Sequence, residues 1–129
     1  MEFLIKMVQQ QTKLEIADNS GVKIAKCIKI LSKKKHGKIG DIVIVSVKKL
    51  KKNSNFKKLA KKSISKAVIV TTSKVVKHNN GFFVKFKNNS IAFIDNQTNN
   101  PISSRIFNLI SKKLKKKFNK LVSLTSYLI

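Results

Sequence analysis

The sequence has one cysteine, one proline, one arginine, four glycines, no tryptophan and only five acidic residues. The lone Cys27 excludes an intramolecular disulfide, and its place in the apolar run 22–31 reads as a small buried thiol without chemistry. No stretch approaches the ~18 uninterrupted apolar residues of a membrane helix, and residues 1–8 are too short for a secretory signal with its flanks. The protein is therefore expected to stay on the side of any membrane where it is made. The acidic residues Glu2, Glu15, Asp18, Asp41 and Asp95 are scattered. Asp18 reads as a turn former and Asp41 as a strand-start residue, and neither is assigned an acid/base partner. His36 and His78 stand in separate polar loops with one distant cysteine and no acidic cluster, which is not metal-ligand spacing. The sequence offers no catalytic residue, metal or cofactor, so it is not expected to be an enzyme.

The scarcity of acid meets an abundance of base. Twenty-eight lysines and Arg105 give the 129-residue chain a formal charge of +24, while 42% of its residues are hydrophobic. That hydrophobic share suits a globular core, and a chain of this length buries roughly two thirds of its unfolded surface, so one domain spanning residues 1–129 is expected. Self-repulsion at this charge destabilises an isolated compact domain, whereas contact with phosphates relieves it and releases condensed counterions. Lysine is a point charge without arginine's bidentate fork, so the lysines should read nucleic-acid backbone and shape and leave base edges unread. Scarce Gly, Ala, Arg and Pro beside plentiful Asn, Ile and Phe suggest an AT-rich genome, organellar or reduced bacterial. No Arg- and Ser-rich presequence precedes the first strand, so an organellar protein of this kind is expected to be encoded in the organelle.

Along the chain, residues 7–16 are strand-like and Ala17-Asp18-Asn19-Ser20-Gly21 reads as a tight turn. Residues 22–31 form a strand with apolar residues on both faces, 32–41 a basic loop closed by Gly40-Asp41, and 42–47 a β-branched strand. Residues 48–65, lysine-rich with sparse anchors at Leu50, Phe56 and Leu59, read as an extended loop or ribbon. A further strand at 66–72 precedes segments 75–76 and 82–86, which flank the hairpin signal Asn80-Gly81; another strand covers 90–94. Six or so short strands with turns every eight to twelve residues point to a small barrel, which removes sheet edges by closure. After the polar turn 95–101 the period changes. Ile106, Ile110, Leu114, Phe118 and Leu121 fall on one helical face, with lysines around it, and 122–129 is apolar enough to dock on the barrel.

Ala67-Val68-Ile69-Val70, then Asn80-Gly81, Phe86 and Asn89 at matching intervals, resembles the signature of the universal large-subunit ribosomal protein fourteen family. The turn 17–21, Gly40-Asp41, and Pro101 with Arg105-Ile106-Phe107 agree with that family in order and spacing over most of the chain. Departures are Ala92-Phe93 in place of a Val and an aliphatic residue, Ser103-Ser104 before Arg105, and Asn108-Leu109 after Phe107. The family's Pro-Arg-Gly motif is also missing from 48–65. The resemblance implies a mainly β fold: a small closed five-stranded barrel (about 7–100) with a projecting β-hairpin or loop, and two short C-terminal α-helices (about 103–129). It also implies a structural role in the large ribosomal subunit, bound to large-subunit rRNA and forming an intersubunit bridge with small-subunit rRNA in support of translation. Neighbouring ribosomal proteins and a ribosome silencing factor would be further partners.

Candidate rRNA contacts are Lys33, Lys34, Lys35 and Lys38 in the first basic loop and Lys48, Lys49, Lys51, Lys52, Lys57, Lys58, Lys61 and Lys62 in the ribbon. The bland alternative is that both segments are simply solvated. The resemblance maps the silencing-factor surface onto Ser104, Arg105 and Lys120, and Lys112 and Lys113 join these as a bridge or protein-partner surface. Arg105 could instead be a helix-start residue paired with Asp95 or a backbone carbonyl. Two rival functions stay open: a barrel coating single strands through Phe82, Phe83, Phe86 and Phe93, and a cationic membrane-surface helix at 105–121. Extreme lysine content and the altered signature favour a mitochondrial ribosome over a plastid or the cytoplasm of an AT-rich bacterium.

Overall fold

Short β-branched segments must pair with one another, because each alone leaves rows of backbone donors and acceptors unmet. The computed structural model describes residues 8, 9, 11–31, 36–50, 63–73, 76–77, 81–107, 109–115, 117–125 and 128. In chain order its strands are β1 (Lys13–Ile16), β2 (Val22–Ile30), β3 (Ile42–Leu50), β4 (Ile64–Thr71), β5 (Val76–Lys77), β6 (Phe83–Val84) and β7 (Ser90–Phe93). Five of them close a barrel in the order β1-β2-β3-β4-β7. All neighbours are antiparallel except β1 and β7, whose parallel pairs Glu15↔Ser90 and Ile16↔Ile91 make the closure. The β5–β6 hairpin is a separate two-stranded sheet, paired through Val76↔Val84 and Lys77↔Phe83. Gly81, at φ +87°, supplies the left-handed residue that such a turn needs.

Alternation sorts the residues of β3. Val43, Val45 and Val47 point inward and are fully buried, while Ile42, Ile44 and Ser46 lie half-buried on the outside. They join Leu14, Ala25, Cys27, Ile69, Ile91 and Phe93 in the barrel interior. β4 and β7 have no polar face, because a second core covers their outer side: Val68, Val70, Ala92 and Ile94 pack against Ile106, Ile110, Leu114, Phe118 and Leu121. The C-terminal segment is thus the lid of the second core.

The five apolar residues at helical spacing, Ile106, Ile110, Leu114, Phe118 and Leu121, are all buried as the sequence suggests, but they do not share one helix. Ile106 bridges Asp18 and Ile110 bridges Leu128, so this stretch is extended. Two helical elements follow among the described residues, a 3-10 turn at Lys112–Leu114 and a one-turn α-helix at Asn119–Val122. The step of four from 106 to 110 fits an extended chain as well as a helix, since Phe107 and Leu109 between them are exposed. Lysines 112, 113, 116 and 117 would also repel one another at i,i+4 on a helix. Among the described residues of 105–121 there is therefore no continuous amphipathic helix, the premise of the membrane-surface rival. Among the described residues no helix is long and apolar enough to cross a membrane.

Strand bounds also differ from the sequence reading. The first strand starts only at Lys13, because Gln11 adopts φ 67° within a turn held by Thr12 N–H to Gln9 O (3.1 Å). β3 runs on through Lys48 and Lys49 to Leu50, so the ribbon begins later than residue 48. The base of the first basic loop is tied down: Gly37 pairs with Val8, and Gly40 N–H donates to Ile69 O (2.8 Å). A Cβ at Gly37 would lie 2.5 Å from the Cδ1 of the fully buried Ile69. Gly37→Ala is therefore expected to cost about 1–3 kcal/mol by overpacking, read as a lowered thermal midpoint. An unchanged midpoint would mean that Ile69 can rotate away.

Candidate RNA-binding surface

The lysines of β2 recur at 23, 26 and 29, a period of three that an ideal strand would split between its faces. Register shifts against β3 between Ile24 and Ala25 and between Cys27 and Lys29 alter that alternation. Val22, Ala25, Cys27 and Ile30 turn inward, and Lys23 and Lys29 are exposed with Lys26 half-exposed between them. On the neighbouring strand Lys13 stands directly opposite Lys26. Like charges directly opposite on antiparallel strands are destabilising. β3 adds the exposed Lys48 and Lys49. The carboxylate on these three strands is Glu15, whose Oε2 accepts from Asn88 Nδ2 at 3.0 Å. The outer face of β1–β2–β3 therefore carries six lysines, and four of them were not singled out from sequence. Their signal was present in the strand pattern, but the bulges that turn them outward were not legible.

Of the residues singled out as rRNA contacts, Lys38, Lys48 and Lys49 are exposed, with Lys38 in a turn where its N–H donates to Asp41 Oδ2 at 2.8 Å. Lys33, Lys34, Lys35, Lys51, Lys52, Lys57, Lys58, Lys61 and Lys62 lie outside the described residues. Val47 N–H donates to Ser63 O at 2.9 Å, which sets Ser63 beside the end of β3 that carries Lys48 and Lys49.

The turn 17–21 and the segment 103–107, far apart in sequence, form one clamp. Asn19 Oδ1 accepts from the N–H groups of Ser104 and Arg105, both at 3.1 Å, and its Nδ2 donates to Ser104 Oγ at 3.0 Å. Backbone bonds extend the clamp from Asn19 N–H to Arg105 O (3.2 Å) and from Phe107 N–H to Ala17 O (2.8 Å). Beneath it Asp18 is 1% exposed; its Oδ2 accepts from Phe93 N–H (2.9 Å) and its Oδ1 from Ser20 N–H (3.2 Å). Burial pushes the Asp18 carboxyl up, against the pull of those hydrogen bonds.

The clamp fixes the backbone of Ser104 and Arg105 and leaves both side chains exposed. Arg105 does not begin a helix. Asp95 instead turns its carboxylate to Gln97 N–H (3.0 Å). Lys112, Lys113 and Lys120 are exposed on the two helical turns. Ser111 Oγ caps the first turn by accepting from Lys113 N–H at 3.2 Å, whereas Phe118 starts the second without a side-chain cap.

Other chemistry is weak. Burial pushes the Cys27 thiol up to about 11, which leaves almost no thiolate near neutral pH. No group of three His, Cys, Asp or Glu among the described residues could hold a metal. Of the phenylalanines open to base stacking, Phe82 and Phe83 are exposed at the hairpin, Phe86 is half-buried and Phe93 belongs to the core.

A closed five-stranded barrel with a lysine-covered outer face, lidded by a clamped C-terminal segment, falls in the class of small basic barrels built to sit against a polyanion. Residues 7–129 match the family Ribosomal protein L14p/L23e, and the chain belongs to that family. It is a structural, non-enzymatic constituent of the large ribosomal subunit, associated there with rRNA and other ribosomal proteins.

Proposed function

We propose that the chain holds large-subunit rRNA through phosphate contacts from the outer face of β1–β2–β3 and the two lysine-rich segments that adjoin it. The observation that carries this reading is Lys13 set directly opposite Lys26 on a six-lysine face. Such a face lowers the stability of the free barrel and becomes favourable only when phosphates lie across it. The clamped Ser104 and Arg105, together with Lys112, Lys113 and Lys120, form a second surface. It contributes to an intersubunit bridge with small-subunit rRNA, supports translation, and receives a ribosome silencing factor where one exists. Lysine-dominated composition and AT-biased residue usage support a mitochondrial ribosome as the site, with a plastid or an AT-rich bacterium as the alternative.

Sucrose-gradient fractionation of the native source at moderate and then high salt tests this. The chain, followed by mass spectrometry, is expected in the large-subunit peak at both salts. Its absence from that peak at moderate salt, or its recovery only with free RNA or membranes, would overturn the reading.

A further inference from the structure

Between the loop 95–100 and the last helical turn lies a cleft of about 390 Å³ that shares only Lys120 with the surfaces described above. Ligand sites run from about 300 to 1,000 Å³, so this one is sized for a single small group. Its more buried lining, the floor, is apolar, from Ile42, Phe118 and Leu121, and the walls are made of polar residues, among them Asn100, Asn119, Lys117 and Lys120. Among the described residues no carboxylate lines it. One wall is held rigid. Asp95 N–H donates to Asn100 O (2.8 Å), Asn99 N–H donates to Asp95 O (3.1 Å), and Asn99 sits at φ +59°. Lys66 Nζ ties the same loop to β4 by donating to Asn96 O (3.3 Å) and Asn99 Oδ1 (3.2 Å). Opposite it, Phe118 is anchored by its N–H to Leu114 O at 2.9 Å. The cleft is therefore preformed.

An apolar floor, amides and lysines in one compartment suit a group with a flat apolar body, a polar edge and an attached anion. We infer that the cleft takes a single unstacked rRNA nucleotide, its base on the floor, its edge read by Asn100 and Asn119, and its phosphate held by Lys117 and Lys120. RNA is recognised base by base at bulges and loops, where bases are free to leave the stack. The amides would give this lysine-dominated chain a specificity that its phosphate contacts lack. This inference rests on the rRNA-binding reading above. An acidic protein segment would also be drawn to the lysines, but it gives the apolar floor no matching part.

The test measures affinity of the full chain for a short RNA hairpin with one bulged nucleotide and for its fully paired counterpart. The wild-type chain is expected to prefer the bulged hairpin by on the order of tenfold, a modest share of what one well-held base contributes. Asn119→Trp or Asn100→Trp, each filling the mouth from one wall, should abolish the preference and leave affinity for the paired hairpin unchanged. Circular dichroism identifies a misfolded variant, in which case the other wall's variant decides. A 4-thiouridine at the bulge should crosslink to residues 98–100 or 117–121. Equal wild-type affinity for both hairpins, or a preference that survives both substitutions, would overturn the cleft while the broader rRNA reading stands. Failure to bind either hairpin would sink both. Displacement of the bulged hairpin alone by a glutamate-rich peptide would make an acidic segment the occupant and overturn the nucleotide.

Discussion

Asp18→Ala is expected to lower the stability of the free protein by about 2–6 kcal/mol, the sum for two buried backbone donors left without an acceptor. Those donors, Phe93 N–H and Ser20 N–H, belong to the barrel wall and to the turn that clamps residues 103–107. Losing Asp18 therefore loosens β7 and the clamp together. Asp18→Asn keeps one acceptor but turns an amide donor toward the second N–H, so about 1–3 kcal/mol is expected. The two variants also separate charge from hydrogen bonding. Burial raises the folded-state value of the Asp18 carboxyl above its ordinary 3.8. Above the raised value the group is charged in both states and carries the full cost of desolvation. As pH falls through the raised value, the folded state takes up a proton first, and this group's contribution to stability rises until about 3.8, where the unfolded chain follows. The gap between wild type and Asp18→Asn in denaturant titrations should widen on acidification across that window. A gap that is constant with pH would show that the carboxyl is not raised.

That buried carboxylate also marks where sequence reasoning reaches its limit. Ala17-Asp18-Asn19-Ser20-Gly21 is legible as a turn from local residue chemistry alone, because Asp and Asn bond their own backbone and Gly21 adopts φ +90°. Nothing local says that Asn19 will hold the N–H groups of Ser104 and Arg105, a contact spanning most of the chain. The four-residue apolar run 67–70 and the run 91–94 are legible as buried strands, and both are buried on two faces. The covering residues Ile106, Ile110, Leu114, Phe118 and Leu121 are legible as a buried set, but their conformation is not. Spacings of three and four leave helix and extended chain unresolved where tertiary bridges to Asp18 and Leu128 decide. On the candidate surface, lysine density pointed to the loops, and Lys38, Lys48 and Lys49 are indeed exposed. Lys13, Lys23, Lys26 and Lys29 stayed hidden because an ideal strand would have sent some of them inward.

Replacing Lys23, Lys26, Lys48 and Lys49 together with glutamine should separate the two consequences of a face whose six lysines meet a single carboxylate, Glu15. Each phosphate contact contributes about 0.7 to 0.9 to the slope of log affinity against log salt. Four lost contacts should reduce that slope by about 3 and weaken RNA binding on the order of 10³-fold at about 0.1 M salt. Relief of the Lys13–Lys26 pair works the other way on the free barrel, by about 0.2–1 kcal/mol for that pair. The variant should therefore bind RNA far more weakly while unfolding at an equal or higher temperature, a combination that damage to the fold cannot produce. Fluorescence titrations with a structured RNA at several salt concentrations, beside thermal unfolding of the same preparations, give both readings. An unchanged salt slope would show that phosphates do not lie across β1–β2–β3. The rRNA contacts would then belong to the lysine-rich loops alone, and the opposed Lys13 and Lys26 would need a different anionic neighbour.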